Sequence, residues 1–284
     1  MVLSIQSNFL SERFGDQQAI RLLAQAGFDA VDYSMFSSYV IPLVFENDDY
    51  LAYADMLRKT AEECGVFFNQ AHAPFPSYRV GDDEYNRVIE PRLHRAIEFA
   101  GRLGVSSIVI HPVDFKLDNK KKNLAMYNAL LPTAKKSGVR IALENMWGRD
   151  PRRGYIVPNV CSVPCEFFEY LEALDRDWFT ACLDLGHIGL VGEDEGNFIR
   201  TLGHEKLTCL HVHDTVFTQD SHTIPYVGKM DWEEIVRAFR DIDYSGDFTF
   251  ESERFYEHIP ADFLPVALKY VHDLGRYLIS RIEE

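Results

Sequence analysis

The chain has 284 residues, 46% of them hydrophobic, with 12 Pro and 17 Gly, and no Pro/Gly/Ser-rich stretch that would serve as a linker. That apolar content excludes general disorder, and one large domain over residues 1–284 is expected, since barrels reach this length without splitting. Lys and Arg number 29 against 44 Asp and Glu, and the resulting charge of −15 repels a phosphate backbone and forfeits counterion release, so nucleic acid is a disfavoured partner.

Short strand-like runs alternate with helix-like segments from one end to the other. The strands are expected at Leu3–Gln6, Ala30–Tyr33, Val66–Ala71, Ser107–His111, Val139–Glu144, Phe179–Asp184, Thr208–His213 and Asp247–Glu251. Between them, Ile89, Leu93, Ile97 and Ala100 recur at helical spacing, as do Leu264, Ala267, Val271, Leu274 and Leu278. Gly27, Gly65, Gly104 and Gly138 each precede a strand, where a left-handed helix cap belongs. Eight β-then-α units predict an α/β fold, a single (β/α)8 TIM barrel. Neither a GxGxxG nor a GxxxxGK[ST] stretch occurs, so a nucleotide site has no support.

No apolar run reaches 18 residues and the N-terminus lacks a basic segment followed by an apolar one, so a soluble, cytoplasmic protein without a membrane partner is expected. The five cysteines, Cys64, Cys161, Cys165, Cys182 and Cys209, are odd in number and too sparse for a disulfide framework. Cys161 and Cys165 have no second Cys pair at ligand spacing and read as small buried hydrophobes rather than metal ligands.

Chemistry collects at one end of the expected strands. His111, Glu144, Asp184, His211 and Glu251 lie at or next to a strand's last residue, and His72 lies just past another. In a parallel barrel these ends share the face that carries active sites. Alternation agrees: with Glu144 inward, Leu143 and Ile141 face the helices, and the same holds for Asp184 with Leu183 and Ala181, and for Glu251 with Phe250 and Phe248. Imidazoles and carboxylates without thiolates suit a divalent ion, Zn²⁺ or Mn²⁺ first, with Mg²⁺ or Co²⁺ as alternatives.

The stretches QAHAPF at His72, IVIHP at His111, IALENM at Glu144, LDLGH at Asp184 and His187, LHVHD at His211, DSH at Asp220 and His222, and FTFESE at Glu251 together resemble the xylose-isomerase-like TIM-barrel superfamily. That superfamily holds sugar phosphate isomerases and epimerases and the endonuclease IV type of abasic-site nuclease. The resemblance implies one ion held by Glu144, Asp184, His211 and Glu251, with Glu144 and Glu251 as acid and base. The endonuclease pattern implies further ions at His72 and His111 sharing Glu144, and at His187 with Asp220 and His222. His211, followed three residues later by Asp214, matches the pattern better than His213, which then touches substrate or steadies a ligand; His187 or His213 would assist the proton transfer.

Ketohexose epimerases of this kind carry an Arg where this chain has Phe217, which argues against a simple ketohexose C3-epimerase. Trp147 with Arg149, Arg152 and Arg153, in the loop after strand five, either binds the substrate, the arginines clamping its phosphate or carboxylate, or belongs to a solvated loop. Tyr33, Phe36, Tyr39 and Phe45 form either a wall over a sugar or loop packing. The expected activity is a metal-dependent isomerase or epimerase working through an enediolate on a sugar or sugar phosphate; the alternatives are an endonuclease IV-like phosphodiesterase, an inosose-dehydratase-like lyase and a non-catalytic sugar-binding barrel. Homo-oligomerisation is left open.

Overall fold

In the computed structural model, which describes residues 1–36 and 44–284, the strands form in the expected order. They are β1 (Leu3–Gln6), β2 (Ala30–Ser34), β3 (Phe67–His72), β4 (Ser107–Val109), β5 (Arg140–Glu144), β6 (Trp147–Arg149), β7 (Ile156–Pro158), β8 (Phe179–Asp184), β9 (Leu207–His211) and β10 (Phe248–Phe250). The helices are α1 (Asn8–Phe14), α2 (Asp16–Ala26), α3 (Tyr50–Cys64), α4 (Asp83–Leu103), α5 (Asn119–Ser137), α6 (Pro164–Glu172), α7 (Leu185–Val191), α8 (Glu195–Lys206), α9 (Trp232–Asp241) and α10 (Leu264–Glu283).

Eight strands pair in parallel in the order β10–β1–β2–β3–β4–β5–β8–β9. The two ends meet through a parallel bridge between Val212 and Phe250, where the Val212 N–H donates to Thr249 O at 2.8 Å and the Glu251 N–H to Val212 O at 3.1 Å. This makes a nearly closed TIM barrel of the α/β class. β4 stops two residues before His111, since Pro112 has no N–H with which to extend a ladder. The antiparallel hairpin β6–β7 was not expected from periodicity; it rises from the loop that follows Glu144.

Alternation sorts the side chains as the pattern requires. Ile141, Leu143, Ala181, Leu183, Phe248 and Phe250 belong to the apolar layer beneath the helices, whereas Val109, Ala142, Cys182 and Cys209 form a small separate cluster inside the barrel. Burying one large aliphatic or aromatic side chain contributes about 1.5–3 kcal/mol, so the outer layer carries most of the stability. The narrow interior is thereby left to polar groups. At its floor Ser4 Oγ donates to Thr249 Oγ1 at 2.8 Å, and Asn69 Nδ2 donates to the same oxygen at 3.2 Å. The helix caps at Gly27, Gly65, Gly104 and Gly138 are left-handed, as expected. Among the described residues no helix is long and apolar enough to cross a membrane. Cys161 is buried as expected, but Cys165 is exposed, because its place on the first turn of α6 faces outward.

Candidate metal centre

All nine ligand-type residues read from the sequence converge at the C-terminal end of the barrel. Ligand atoms of Glu144, Asp184, His211 and Glu251 lie within 4.8 Å of one another, and all four residues are buried. His211 Nδ1 stands 3.3 Å from Glu144 Oε1 and 3.2 Å from Glu251 Oε2. His72, His111 and Glu144 form a second group, with His111 Nε2 at 2.9 Å and His72 Nε2 at 3.7 Å from Glu144 Oε2. Glu144 therefore turns one oxygen to each group. The third group joins His187, His213, Asp220 and His222; His222 Nε2 is 3.0 Å and His187 Nε2 3.6 Å from Asp220 Oδ2. His213 belongs to this group rather than to that of His211, although its Nε2 also reaches Asp184 Oδ1 at 2.9 Å.

Backbone carbonyls aim most of these rings. The Nδ1–H of His72 donates to Ala73 O and that of His187 to Asn145 O, both at 2.8 Å, and that of His222 to Glu251 O at 3.2 Å. Each turns Nε2 toward a carboxylate, the arrangement that makes an imidazole a ligand once that nitrogen gives up its proton. Asn145 also grips Asp184 on both sides: its Oδ1 accepts from Asp184 N at 2.8 Å and its Nδ2 donates to Asp184 O at 2.9 Å. Asp214 pins the loop that carries Asp220 and His222, because its Oδ1 accepts from the backbone N–H of Thr215, Lys229 and Met230 and its Oδ2 from Trp232 Nε1 at 2.8 Å.

The crowding of carboxylates and imidazoles splits their proton affinities. Burial raises Glu251, and although His211 and His222 oppose this, Asp184 and Glu144 add to it and its carboxyl is pushed up to about 8. Burial also opposes charge on Glu144, but His111 and His211 outweigh it and hold that carboxyl well below the usual range. Burial disfavours the charged form of His187, yet Asp184, Asp220 and Glu144 prevail and push it up to about 10. His111 moves the other way, lowered by burial despite Glu144.

A cavity of about 770 Å³ opens above these groups. His72, His111, Glu144, His187, Asp220, His222 and Glu251 line it, with Trp147, Phe36 and Phe75. Trp147, at the start of β6, lines the wall and donates Nε1–H to Asp220 Oδ2 at 3.2 Å. Arg149, Arg152 and Arg153 are not among the described residues that line the cavity. The reason is the β6–β7 hairpin: Arg149 packs over the Trp147 ring at 5.5 Å and donates to Gly154 O, while Arg152 and Arg153 sit exposed at the tip, their backbone N–H groups on Asp150. The arginine on the cavity wall is Arg79, held 3.9 Å over the Tyr85 ring. Of the aromatics, Phe36 packs edge-on against His72 and Phe75, Tyr33 and Phe45 are buried against Phe99 in the outer layer, and Tyr39 lies outside the described residues.

Sequence reasoning missed Gln6, whose Nε2 donates to Glu251 Oε1, and Glu253, which lies 3.3 Å from His222 Nδ1. It also missed Asp32. The available signal was a polar or charged residue at an inward position of an otherwise apolar strand, as in AVDYS of β2.

Buried donor atoms without partners show that the residues fit an ion: Glu144 Oε2, Asp220 Oδ1 and both ring nitrogens of His211 have no hydrogen-bond partner. Such orphans are costly unless something else satisfies them. The Cys182 thiol beside Glu144 and His211 is held protonated by burial, which leaves a nitrogen-and-oxygen donor set. That set suits a divalent ion.

A parallel barrel with imidazoles and carboxylates gathered at its C-terminal mouth places the chain in a defined class, and residues 20–270 match the family described as Xylose isomerase-like TIM barrel; the chain belongs to that family. Among curated relatives, a D-psicose 3-epimerase of Enterocloster bolteae is 26% identical over 140 residues, 48% of this chain and 42% of that protein. An uncharacterised protein of Sinorhizobium fredii is 23% identical over 171 residues, 56% of this chain and 51% of its own length. The chain spans about half the length of the curated relatives it matches. A D-allulose 3-epimerase from Methylomonas sp., solved with D-allulose, superposes with a TM-score of 0.72 at 18% identity, covering 100% of this chain and 96% of that one. At that identity the likeness concerns the fold alone.

Proposed function

We propose that this chain is a divalent-metal-dependent sugar or sugar-phosphate isomerase or epimerase that moves a proton through an enediolate. The observation that carries the reading is the convergence of Glu144, Asp184, His211 and Glu251 beneath a cavity large enough for a sugar. Glu144, Asp184, His211 and Glu251 would hold the ion, with His72 and His111, or His187, Asp220 and His222, available to further ions. When bound, the ion supplies Lewis acidity at a carbonyl and its neighbouring hydroxyl, where it stabilises developing negative charge.

The protein's own residues divide the proton work. Glu144 and Glu251 stand on β5 and just past β10, three places apart around the ring, and so approach a substrate from opposite sides. Glu144, ionised, accepts the proton from the carbon next to the carbonyl; Glu251, whose surroundings give it the higher proton affinity, takes a proton from a substrate hydroxyl or solvent and returns it to carbon. Two carboxyl groups with affinities pushed apart are the arrangement that separates a base from an acid. Return to the opposite face of the same carbon epimerises it, and return to the neighbouring carbon isomerises the sugar. Gln6 steadies Glu251 by donating to Oε1, and Trp147, Phe36 and Phe75 keep water from the reacting carbon. Support for a sugar as substrate comes from the epimerase relatives, and the charge of −15 opposes the nuclease alternative.

The test is solvent-deuterium incorporation into a panel of ketoses and their phosphates by metal-loaded protein. Glu144→Gln and Glu251→Gln should each slow exchange by about 10²–10⁴-fold, since an amide neither accepts nor returns the proton. Exchange unchanged in both variants with metal still bound, or no exchange into any sugar of the panel, would remove the reading.

A further inference from the structure

His211 is oriented differently from the other rings of the site. His72, His187 and His222 each give Nδ1–H to a backbone carbonyl and turn Nε2 to the carboxylates. His211 is reversed: Nδ1 faces Glu144 and Glu251, and neither of its nitrogens has a hydrogen-bond partner. The ring is wholly buried, so its one obligatory N–H needs an acceptor. Nε2 points at Asp32 Oδ2, 3.6 Å away.

Asp32 poses the complementary question. It comes from β2 and is also wholly buried; Oδ1 has no hydrogen-bond partner, and Oδ2 accepts only from Gln70 Nε2, at 3.1 Å, among the described residues. Among those residues, no Lys or Arg lies within ion-pair distance of it, and His211 is the group that does. A buried carboxylate set against the N–H of a buried imidazole answers both needs at once.

We propose that Asp32 is the positioning residue for His211: its carboxylate takes the Nε2–H and so presents Nδ1 bare to Glu144, Asp184 and Glu251. The inference rests on the metal reading of that group. The 3.6 Å separation is longer than a hydrogen bond, and a movement of roughly half an ångström of the ring brings it into the N–H···O range. Cys182, the other polar group against His211, carries a protonated thiol, a weak acceptor beside a carboxylate. Gln70 keeps Asp32 in place and itself donates to Leu210 O, at 3.4 Å, so the inward layer of β2 and β3 braces the ligand on β9.

The test uses Asp32→Asn and Asp32→Ala in the full chain, with folding checked by circular dichroism. In metal-free wild-type protein labelled with ¹⁵N-histidine, read at alkaline pH where the ring has given up the second proton that its carboxylate neighbours hold on it against burial, His211 should show the Nε2–H tautomer. Asp32→Ala should lose that preference, and Zn²⁺ affinity by competition with a chelating dye should fall about 10–100-fold, the usual effect of removing such a partner. Asp32→Asn, whose amide oxygen still accepts, should retain the tautomer and fall less. On a His211→Ala background, Asp32→Ala should cost no further affinity. A merely structural Asp32 would lower the melting temperature without changing the tautomer. An unchanged His211 tautomer in Asp32→Ala, or wild-type Zn²⁺ affinity in both variants, would overturn the proposal. If wild-type protein takes up no ion, the metal reading fails instead, and the tautomer measurement still decides whether Asp32 orients His211.

Discussion

Gly186→Ala tests how tightly the third group of ligands is built. Gly186 lies in α7, directly against the His213 ring, and an added Cβ would stand 1.9 Å from His213 Cε1, where ordinary contact begins near 3.4 Å. The ring would have to retreat by about 1.5 Å. It has little room, being wholly buried and stacked on His222 with ring centres 4.3 Å apart and planes within 5°. Retreat also breaks the 2.9 Å contact between His213 Nε2 and Asp184 Oδ1. Overpacking costs about 1–3 kcal/mol and a lost hydrogen bond to a charged group about 1.5–3 kcal/mol. A total near 4 kcal/mol lowers the melting temperature by roughly 8–16 °C in a protein of this size. The assay is thermal unfolding followed by circular dichroism for Gly186→Ala, His213→Ala and the double variant. Once His213 is removed the alanine has space, so its cost should nearly vanish, a coupling of about 4 kcal/mol. A melting temperature for Gly186→Ala within about 2 °C of wild type, or strictly additive effects, would refute the reasoning.

Two further outcomes follow from the same geometry. Metal ligands must give up their protons before binding, so with Glu251 held up to about 8 and His187 to about 10, the apparent affinity should rise as pH increases from 6 to 9. Calorimetry in buffers of different ionisation enthalpy should show net proton release over that range; a flat affinity without release would contradict the sign. On the helix layer, a Cβ at Gly275 of α10 would stand 2.6 Å from Leu3 Cδ1 and 2.7 Å from Phe250 Cε2, so Gly275→Ala should push the helix off β1 and β10. A loss of about 1–3 kcal/mol in urea unfolding is expected, with metal affinity unchanged because the helix lies outside the barrel; a change in affinity instead would tie that layer to the site.

The sequence by itself determines the barrel and the rim. A period of two places Glu144, Asp184 and Glu251 on the opposite face from Leu143, Leu183 and Phe250, and parallel strands put all their C-terminal ends together. For that reason six ligand-type residues, His72, His111, Glu144, Asp184, His211 and Glu251, could be collected without knowing any distance, while His187, Asp220 and His222 followed from the family resemblance. The tertiary structure alone decides how they divide. That Glu144 is shared between two groups, that His213 joins Asp220 rather than Glu251, and that Asp32 stands behind His211 depend on contacts between strands far apart in the chain, and local periodicity carries no record of those. Loops are legible least of all. WGRDPRRG reads as a basic mouth until the β6–β7 pairing turns its arginines outward, whereas Arg79, a single basic residue ahead of the acidic run Asp82, Asp83 and Glu84, reaches the wall because Tyr85 and Asn86 of α4 hold its ring contact and backbone in place. A strand's period follows from its own backbone, but a loop's course is set by what it packs against, and that is known only when the barrel has closed.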